Sequence, residues 1–363
     1  MDSIDRVGAR RAAEDLVPIH DLIVVGASAG GVEALATLVA GLPSDLPAAV
    51  CVVVHMRPFA ESHLADVIDR VAALPAVTAE HGMRLRPGAI HVAVPDHHLL
   101  VERDGDAAVL RLTRGPRENR NRPAVDPLFR SAALAFGPRV IGVVLSGALD
   151  DGTAGMWTVK DRGGIVVAQD PSDALVPSMP RSVIEEVGAD HVAPAGELGP
   201  LLGRLAREAA PPAPPPQEQQ DELAREVGMA LVDETAHLRE ARYGVPSRFA
   251  CPDCGGVLWD LSGDGPLRFR CETGHAYSAA SLDEGQIEGI EHALWAALRA
   301  MEDKAALARR RADRATMLGH PYAAERFVAQ EEAAQQHGAA LRALLRLDGS
   351  ARIPPAAATE SAD

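Results

Sequence analysis

LIVVGASAGGVEAL, residues Leu22 to Leu35, decides how the N-terminal half of the chain is read. The run Leu22-Ile23-Val24-Val25 is short, apolar and rich in β-branched residues, the pattern of a strand buried on both faces. It ends at Gly26, and Val32, Leu35, Leu38 and Val39 then recur at helical spacing. Ser28 therefore falls at a strand-to-helix junction, where the unpaired N–H groups of a helix start favour anions. Three chemistries use such a junction. A dinucleotide-binding turn needs a second glycine where Ser28 stands, and a phosphate-binding loop needs a following Gly-Lys-Ser/Thr, which is missing. Gly26-x-Ser28-x-Gly30 has the form of a nucleophile elbow, a tight turn that presents a serine hydroxyl. The competing reading makes Ser28 only the N-cap of its helix.

The pattern repeats outward from this stretch. Short apolar runs at 22–26, 49–55 (AVCVVVH), 89–95 (AIHVAVP), 139–147 (RVIGVVLSG) and 163–170 (GGIVVAQD) alternate with helical spacers up to about residue 205. This predicts an α/β fold: a doubly wound, largely parallel sheet with helices on both faces. Residues 97–115 read as a β-hairpin excursion turning near Asp104-Gly105-Asp106 and suit a sheet edge. Residues 206–220 are a proline-rich linker, 221–246 read as a helix, and 349–363 as a disordered tail. Two alanine-rich helical runs within 281–348, broken at Gly319-His320-Pro321, predict a helical hairpin burying Leu294, Leu298 and Met301.

Bulk properties exclude several classes. A formal net charge of −15 opposes a nucleic-acid footprint. No apolar stretch reaches membrane-spanning length, and the polar start (residues 1–21, read as a tail) lacks a signal-peptide core, so a cytoplasmic protein is expected. Four cysteines in 363 residues do not form a disulfide framework.

In a doubly wound sheet, ligands bind beyond the carboxyl ends of the strands. The strand ends offer His55, which closes AVCVVVH, and Asp150-Asp151, which follow RVIGVVLSG. With Ser28 they place a serine, a histidine and a carboxylate at one sheet edge. Such a set supports acyl transfer: the histidine takes the serine proton, and the carboxylate fixes and stabilises the histidine. Residue type leaves Asp150 and Asp151 equivalent, and either can instead cap the helix beginning near Thr153. The order Ser, His, Asp differs from that of an ordinary α/β-hydrolase.

VVGASAGGVEAL, VVVHM, RPAVDPLFRSA, VLSGALDDGTAGM and DALVPSMPRSVIE together resemble the CheB-type protein-glutamate methylesterases of bacterial chemotaxis, over residues 22 to about 205. The resemblance implies Ser28 as nucleophile, His55 as general base and then acid, and Asp151, through its following Gly152, as the orienting carboxylate. It implies hydrolysis of glutamate γ-methyl esters on methyl-accepting chemotaxis receptors with release of methanol, and deamidation of receptor glutamines in some members. The backbone N–H groups of Ala29 and Ala148 are the expected oxyanion donors, and no catalytic cofactor is implied. Ala29 and Ala148 themselves depart from the threonine and methionine common in the family. The receptors are the expected partners, met from the cytoplasm without membrane insertion; no oligomeric state follows. Only 21 residues precede the first strand, too few for the family's receiver domain. Control is therefore expected from another protein or from the chain's own C-terminal part.

Other polar residues have weaker claims. Loop 113–126, TRGPRENRNRPAVD, is arginine-rich and reads either as a face for an acidic receptor helix or as a solvated loop. His91 within a strand, His97-His98 in a loop and Asp170 at a strand end receive no catalytic role.

Cys251-x2-Cys254, 16 residues, then Cys271-x3-His275 gives three thiolates and one imidazole. The set satisfies a tetrahedral structural zinc, whereas a redox Cys-x-x-Cys lacks its βαβ context. Tyr243, Phe249, Trp259, Phe269 and Tyr277 supply a small core around it, and 257–271 read as a hairpin turning at Gly263–Pro266, so 247–280 is expected to be a zinc ribbon. The competing functions are a non-catalytic receptor-binding adaptor on a degenerate esterase fold and a small-molecule carboxylesterase.

Overall fold

A computed structural model describes residues 18–59, 62–105, 107–212, 219–233 and 244–348. β1 (Leu22–Ala27) leads through a turn into α1 (Gly31–Ala40), and β2 (Ala49–Val54) follows. α2 (Leu64–Asp69), β3 (Ala76–Thr78), β4 (Ile90–Val92), β5 (His98–Asp104), β6 (Ala107–Thr113) and α3 (Val125–Phe136) come next. β7 (Val140–Val144), α4 (Thr153–Asp161), β8 (Ile165–Gln169), α5 (Ser178–Ser182), β9 (His191–Ala193) and α6 (Ala195–Leu205) complete the α/β part.

Seven strands pair in the order β3-β4-β2-β1-β7-β8-β9, every pair parallel. The alternation of side chains on β1 explains the layers. Ile23 and Val25 join α1, α2 and α6 in one core, while Leu22 and Val24 join α3, α4 and the hairpin in the other. The chain runs outward from β1 through β2 and returns to β7 on its other side. This reversal between β1 and β7 is the switch point where a crevice opens. The β5–β6 hairpin forms a two-stranded sheet of its own instead of extending the large sheet's edge, with His98 opening β5, buried, and not in a loop.

The expected boundaries at 22 and 205 cut through packed structure: Ile19 bridges Ala209, and the Ala210 N–H donates to Pro18. The remaining residues of the expected N-terminal tail, the linker segment 213–218 and the C-terminal tail 349–363 lie outside the described residues. α7 (Gln219–Ala230) follows, then β10 (Val245–Ala250), β11 (Val257–Asp260), β12 (Arg268–Cys271) and β13 (Ala276–Ser278). These four strands form one antiparallel sheet, so the expected hairpin is its centre and β10 and β13 are additions. Its core is narrower than the five aromatics expected: Phe269 and Tyr277 are buried with Cys251, Leu258, Cys271 and Leu282, Phe249 is exposed, and Tyr243 lies outside the described residues.

By internal packing the chain divides into Met1–Leu282, which includes the four-stranded module, and Asp283–Asp363. α8 (Ala279–Met317) starts in the first unit, and from Asp283 onward it supplies the second together with α9 (Pro321–Asp348). There Leu298, Ala305, Ala308, Ala312 and Ala315 are buried at three- and four-residue spacing, with Phe327 and Ala334 on α9. This alanine-rich seam marks a helical hairpin; of the residues expected inside it, Leu298 is buried while Leu294 and Met301 are half-buried. No helix among the described residues is long and apolar enough to cross a membrane.

Candidate active site

Three parallel strands deliver three side chains to the switch point. β1 ends one residue before Ser28, β2 one residue before His55, and β7 leads into the loop carrying Asp151. The turn at Ser28 is fixed from both sides: its N–H donates to Ser146 O at 2.9 Å, and the His55 N–H donates to Ala27 O at 3.1 Å. Gly26 lets α3 press on β1, since a Cβ there would lie 2.2 Å from Val125 Cγ1. Gly30, not Ser28, is the N-cap of α1, and its φ of 71° is one that glycine adopts without strain. The hydroxyl of Ser28 is thus spared for another partner.

That partner is His55. Ser28 Oγ lies 2.9 Å from Nδ1, and Nε2 lies 2.7 Å from Asp151 Oδ2. Burial alone would raise the Asp151 carboxyl, yet hydrogen bonds from His55, the Val125 N–H and Asn119 hold it below the usual carboxylate range. An ionised Asp151 makes Nε2 the hydrogen-bearing nitrogen, so Nδ1 accepts from the Ser28 hydroxyl. The ring is turned relative to the protease triad, in which Nε2 faces the serine. Asp150 instead accepts from the Ser278 hydroxyl, and burial pushes its carboxyl up to about 6. The structure therefore separates two carboxylates that residue type left equivalent.

Asn119 was not legible in the sequence. Its Nδ2 donates to Asp151 Oδ1 and to Asp126 Oδ2, both at 2.8 Å. It stands within RENRNR, where the arginines dominate the reading. Asp126 lies in the quoted RPAVDPLFRSA; burial first, and then the charge of Asp151, push its carboxyl up to about 7. Loop 113–126 is only partly solvated: ion pairs hold Arg114, Glu118 and Arg122, while Arg117 and Arg120 face the depression beside His55. Arg114 and Arg122 pair with Asp96, and buried Glu118 pairs with Arg130 and Arg270. The groove at the triad is lined by Asn119, Arg120, Asn121, Leu149 and Ser281, and Arg57, Arg117 and Arg120 rim a neighbouring depression beside His55.

The backbone N–H groups of Ala29 and Ala148 have no hydrogen-bond partner among the described residues, and both residues are exposed beside the triad. Asp170 closes its own turn by accepting from Ser172. His97 contacts Pro95 O, His98 contacts Pro116 O, and His91 is buried in β4 with burial lowering its imidazole to about 4.

Cys251, Cys254 and Cys271 Sγ and a His275 ring nitrogen all lie within 4.8 Å of one another and can hold a metal ion. The Cys254–Cys271 Sγ separation is 3.7 Å, and His275 Nδ1 is 3.7 and 3.6 Å from Cys251 and Cys271 Sγ. Zinc bonds of about 2.3 Å to sulfur and 2.0–2.1 Å to nitrogen give tetrahedral edges of about 3.5–3.8 Å, so the donor set fits.

The family model described as CheB methylesterase matches residues 23–202. A protein-glutamate methylesterase/protein-glutamine glutaminase of Nocardioides sp. is 45% identical over 190 residues, 52% of this chain and 52% of that protein. A protein of the same name from Geobacter metallireducens is 39% identical over 177 residues, 49% of this chain and 48% of its own length. The chain thus spans about half the length of the curated relatives it matches. The crystal structure of the Thermotoga maritima CheB methylesterase catalytic domain superposes with a TM-score of 0.50 at 36% identity, covering 51% of this chain and 98% of that one.

Proposed function

Because the chain belongs to the CheB methylesterase family through its α/β part, we propose that it hydrolyses glutamate γ-methyl esters on methyl-accepting chemotaxis receptors, releasing methanol. The observation that carries this reading is the continuous hydrogen-bonded set Ser28–His55–Asp151 at the switch point of the sheet. His55 Nδ1 takes the Ser28 proton as Oγ attacks the ester carbonyl, and Asp151 stabilises the imidazolium that forms. The Ala29 and Ala148 N–H groups receive the oxyanion. The imidazolium protonates the departing methanol, and a water deprotonated by His55 releases the glutamate. An amide enters the same sequence with ammonia as leaving group, in keeping with the glutaminase in the relatives' names.

Substrate choice follows from the groove's walls. Arg57, Arg117 and Arg120 beside His55 favour a segment carrying free carboxylates next to the esterified one. The receptors are met from the cytoplasm. The Cys3His cluster holds a structural zinc, since its donors fill a tetrahedron and leave no position for substrate.

A fluorophosphonate that traps activated serines tests the nucleophile. Mass spectrometry should find the adduct on Ser28 in the native chain, and His55→Ala should abolish it. An intact protein that resists labelling, or labels elsewhere, would support the adaptor reading. Turnover of simple p-nitrophenyl esters far exceeding that of methylated receptor segments would point to a small-molecule carboxylesterase.

A further inference from the structure

The four-stranded module with the Cys3His cluster reaches the triad carboxylate Asp151 through Asn119, and the neighbouring Asp150 directly through Ser278. β13 lies along residues 117–119: the Asn119 N–H donates to Ala276 O at 2.8 Å, and the Ala276 N–H to Arg117 O at 3.2 Å. The Ser278 N–H and the Ser281 hydroxyl then donate to Asn119 Oδ1 at 2.8 and 3.0 Å. Both donors of the Asn119 amide are spent on Asp126 and Asp151, and its oxygen is taken by the module. All its hydrogen-bonding capacity is used, which fixes the amide's orientation. Next to it, Glu118 is buried between Arg130 of α3 and Arg270 of β12.

The metal ligands stand at the near end of this path. His275 immediately precedes Ala276, and the Cys271 N–H donates to His275 O at 3.0 Å, closing the ligand loop. We propose that the metal cluster sets the orientation of Asp151 through β13 and Asn119, so that metal loading of the module controls turnover at Ser28. This rests on the esterase reading. Asn119 and Ser281 are positioning residues, acting through Asp151 and His55.

Three features make the path responsive. The module's core is six side chains, too few to order its loops without the metal. Asn119 is held at φ 47° and Arg120 at φ 66°, a left-handed pair that the contacts with β13 help to hold. Asp126 and Asp151 share the Asn119 amide, and removing it leaves two buried carboxyl groups facing each other without their common donor.

The test compares the full-length chain as a zinc-loaded and a chelated protein, with metal content measured, far-UV circular dichroism recorded, and kcat and KM for p-nitrophenyl acetate determined. In 15N-histidine-labelled protein, the His55 Nε2–H resonance reports the bond to Asp151 whether or not the enzyme turns over. Chelation should lower kcat by about 10-fold or more with KM within about 3-fold, the scale of a misplaced catalytic group. The His55 resonance should shift or broaden while the α/β signal persists, and zinc should restore both. In metal-loaded Ser281→Ala the same resonance should move in the same direction, with a smaller fall in kcat. A metal-free protein with unchanged kcat and His55 resonance would overturn the proposal, as would a native chain that binds no metal. If chelation unfolds the whole unit, Ser281→Ala decides, and an unmoved resonance refutes the path. A loaded protein without Ser28-dependent turnover would count against the esterase reading, while the resonance still tests the coupling.

Discussion

Asp151→Asn changes one atom and should disable the site while leaving its shape. Each carboxylate oxygen of Asp151 faces two donors. Oδ2 receives His55 Nε2 at 2.7 Å and the Val125 N–H at 2.8 Å; Oδ1 receives Asn119 Nδ2 at 2.8 Å and the Asp126 N–H at 3.3 Å. An asparagine must turn its NH2 toward one of these pairs, in a pocket where Asp151 is only 2% exposed. Turned toward Asn119 and Asp126 it leaves two buried donors without an acceptor, at about 1–3 kcal/mol each; turned toward His55, which can change tautomer and accept, it orphans only the Val125 N–H, a loss of about 1–3 kcal/mol. If the amide oxygen stays with Asn119, the NH2 faces His55 and forces the hydrogen onto Nδ1, where it cannot accept from Ser28. The wrong tautomer costs about 10⁴ in kcat in serine hydrolases, with substrate binding little changed. The assay is p-nitrophenyl ester hydrolysis beside thermal unfolding, with Asp150→Asn in parallel. Asp150 contacts Ser278 and not His55, so its variant should lose far less. A loss in Asp151→Asn below about 10-fold, or a larger one in Asp150→Asn, would refute the assignment of the orienting carboxylate.

Two further perturbations probe packing and charge. A Cβ at Gly147 would lie 2.0 Å from Met179 Sδ and 2.9 Å from Ser28 Cβ, so Gly147→Ala should cost about 1–3 kcal/mol by overpacking and lower kcat more than it raises KM; wild-type kinetics would contradict the packing. Glu226 is buried, which opposes its charge, but Arg268, Arg130 and Arg270 pull its carboxyl down to about 2. A carboxyl depressed in the folded state stabilises above its ordinary range and loses that contribution as pH falls through the folded value. Glu226→Gln should therefore melt well below wild type at about pH 7, with the gap narrowing steadily below about pH 4.5; a gap independent of pH would mean that the charge of Glu226 contributes nothing.

The large sheet was legible because its central strands are buried on both faces and read as unbroken β-branched runs, AVCVVV and LIVV above all. β3, β9 and β13 were not, because each is three residues long and, unlike the equally short β4 within AIHVAVP, sits in no longer apolar run. Ser28 and His55 were legible as strand ends, and Asp151 once Asp150 was set aside. Asn119 was not, because its role depends on contacts with Ser278 and Ser281, separated from it by 159 and 162 positions. The cysteine spacing announced a cluster able to hold a metal but not where its module packs, since docking is set by buried pairs such as Glu118–Arg270 that no local pattern encodes.

The most direct measurement is methanol release from methylated receptor cytoplasmic fragments, comparing the native chain with Ser28→Ala. The account predicts release by the native chain, with loss of the glutamate methyl esters, and none above the uncatalysed rate by the variant. Equal release by both, or none from a folded, zinc-loaded native chain that labels at Ser28, would contradict it.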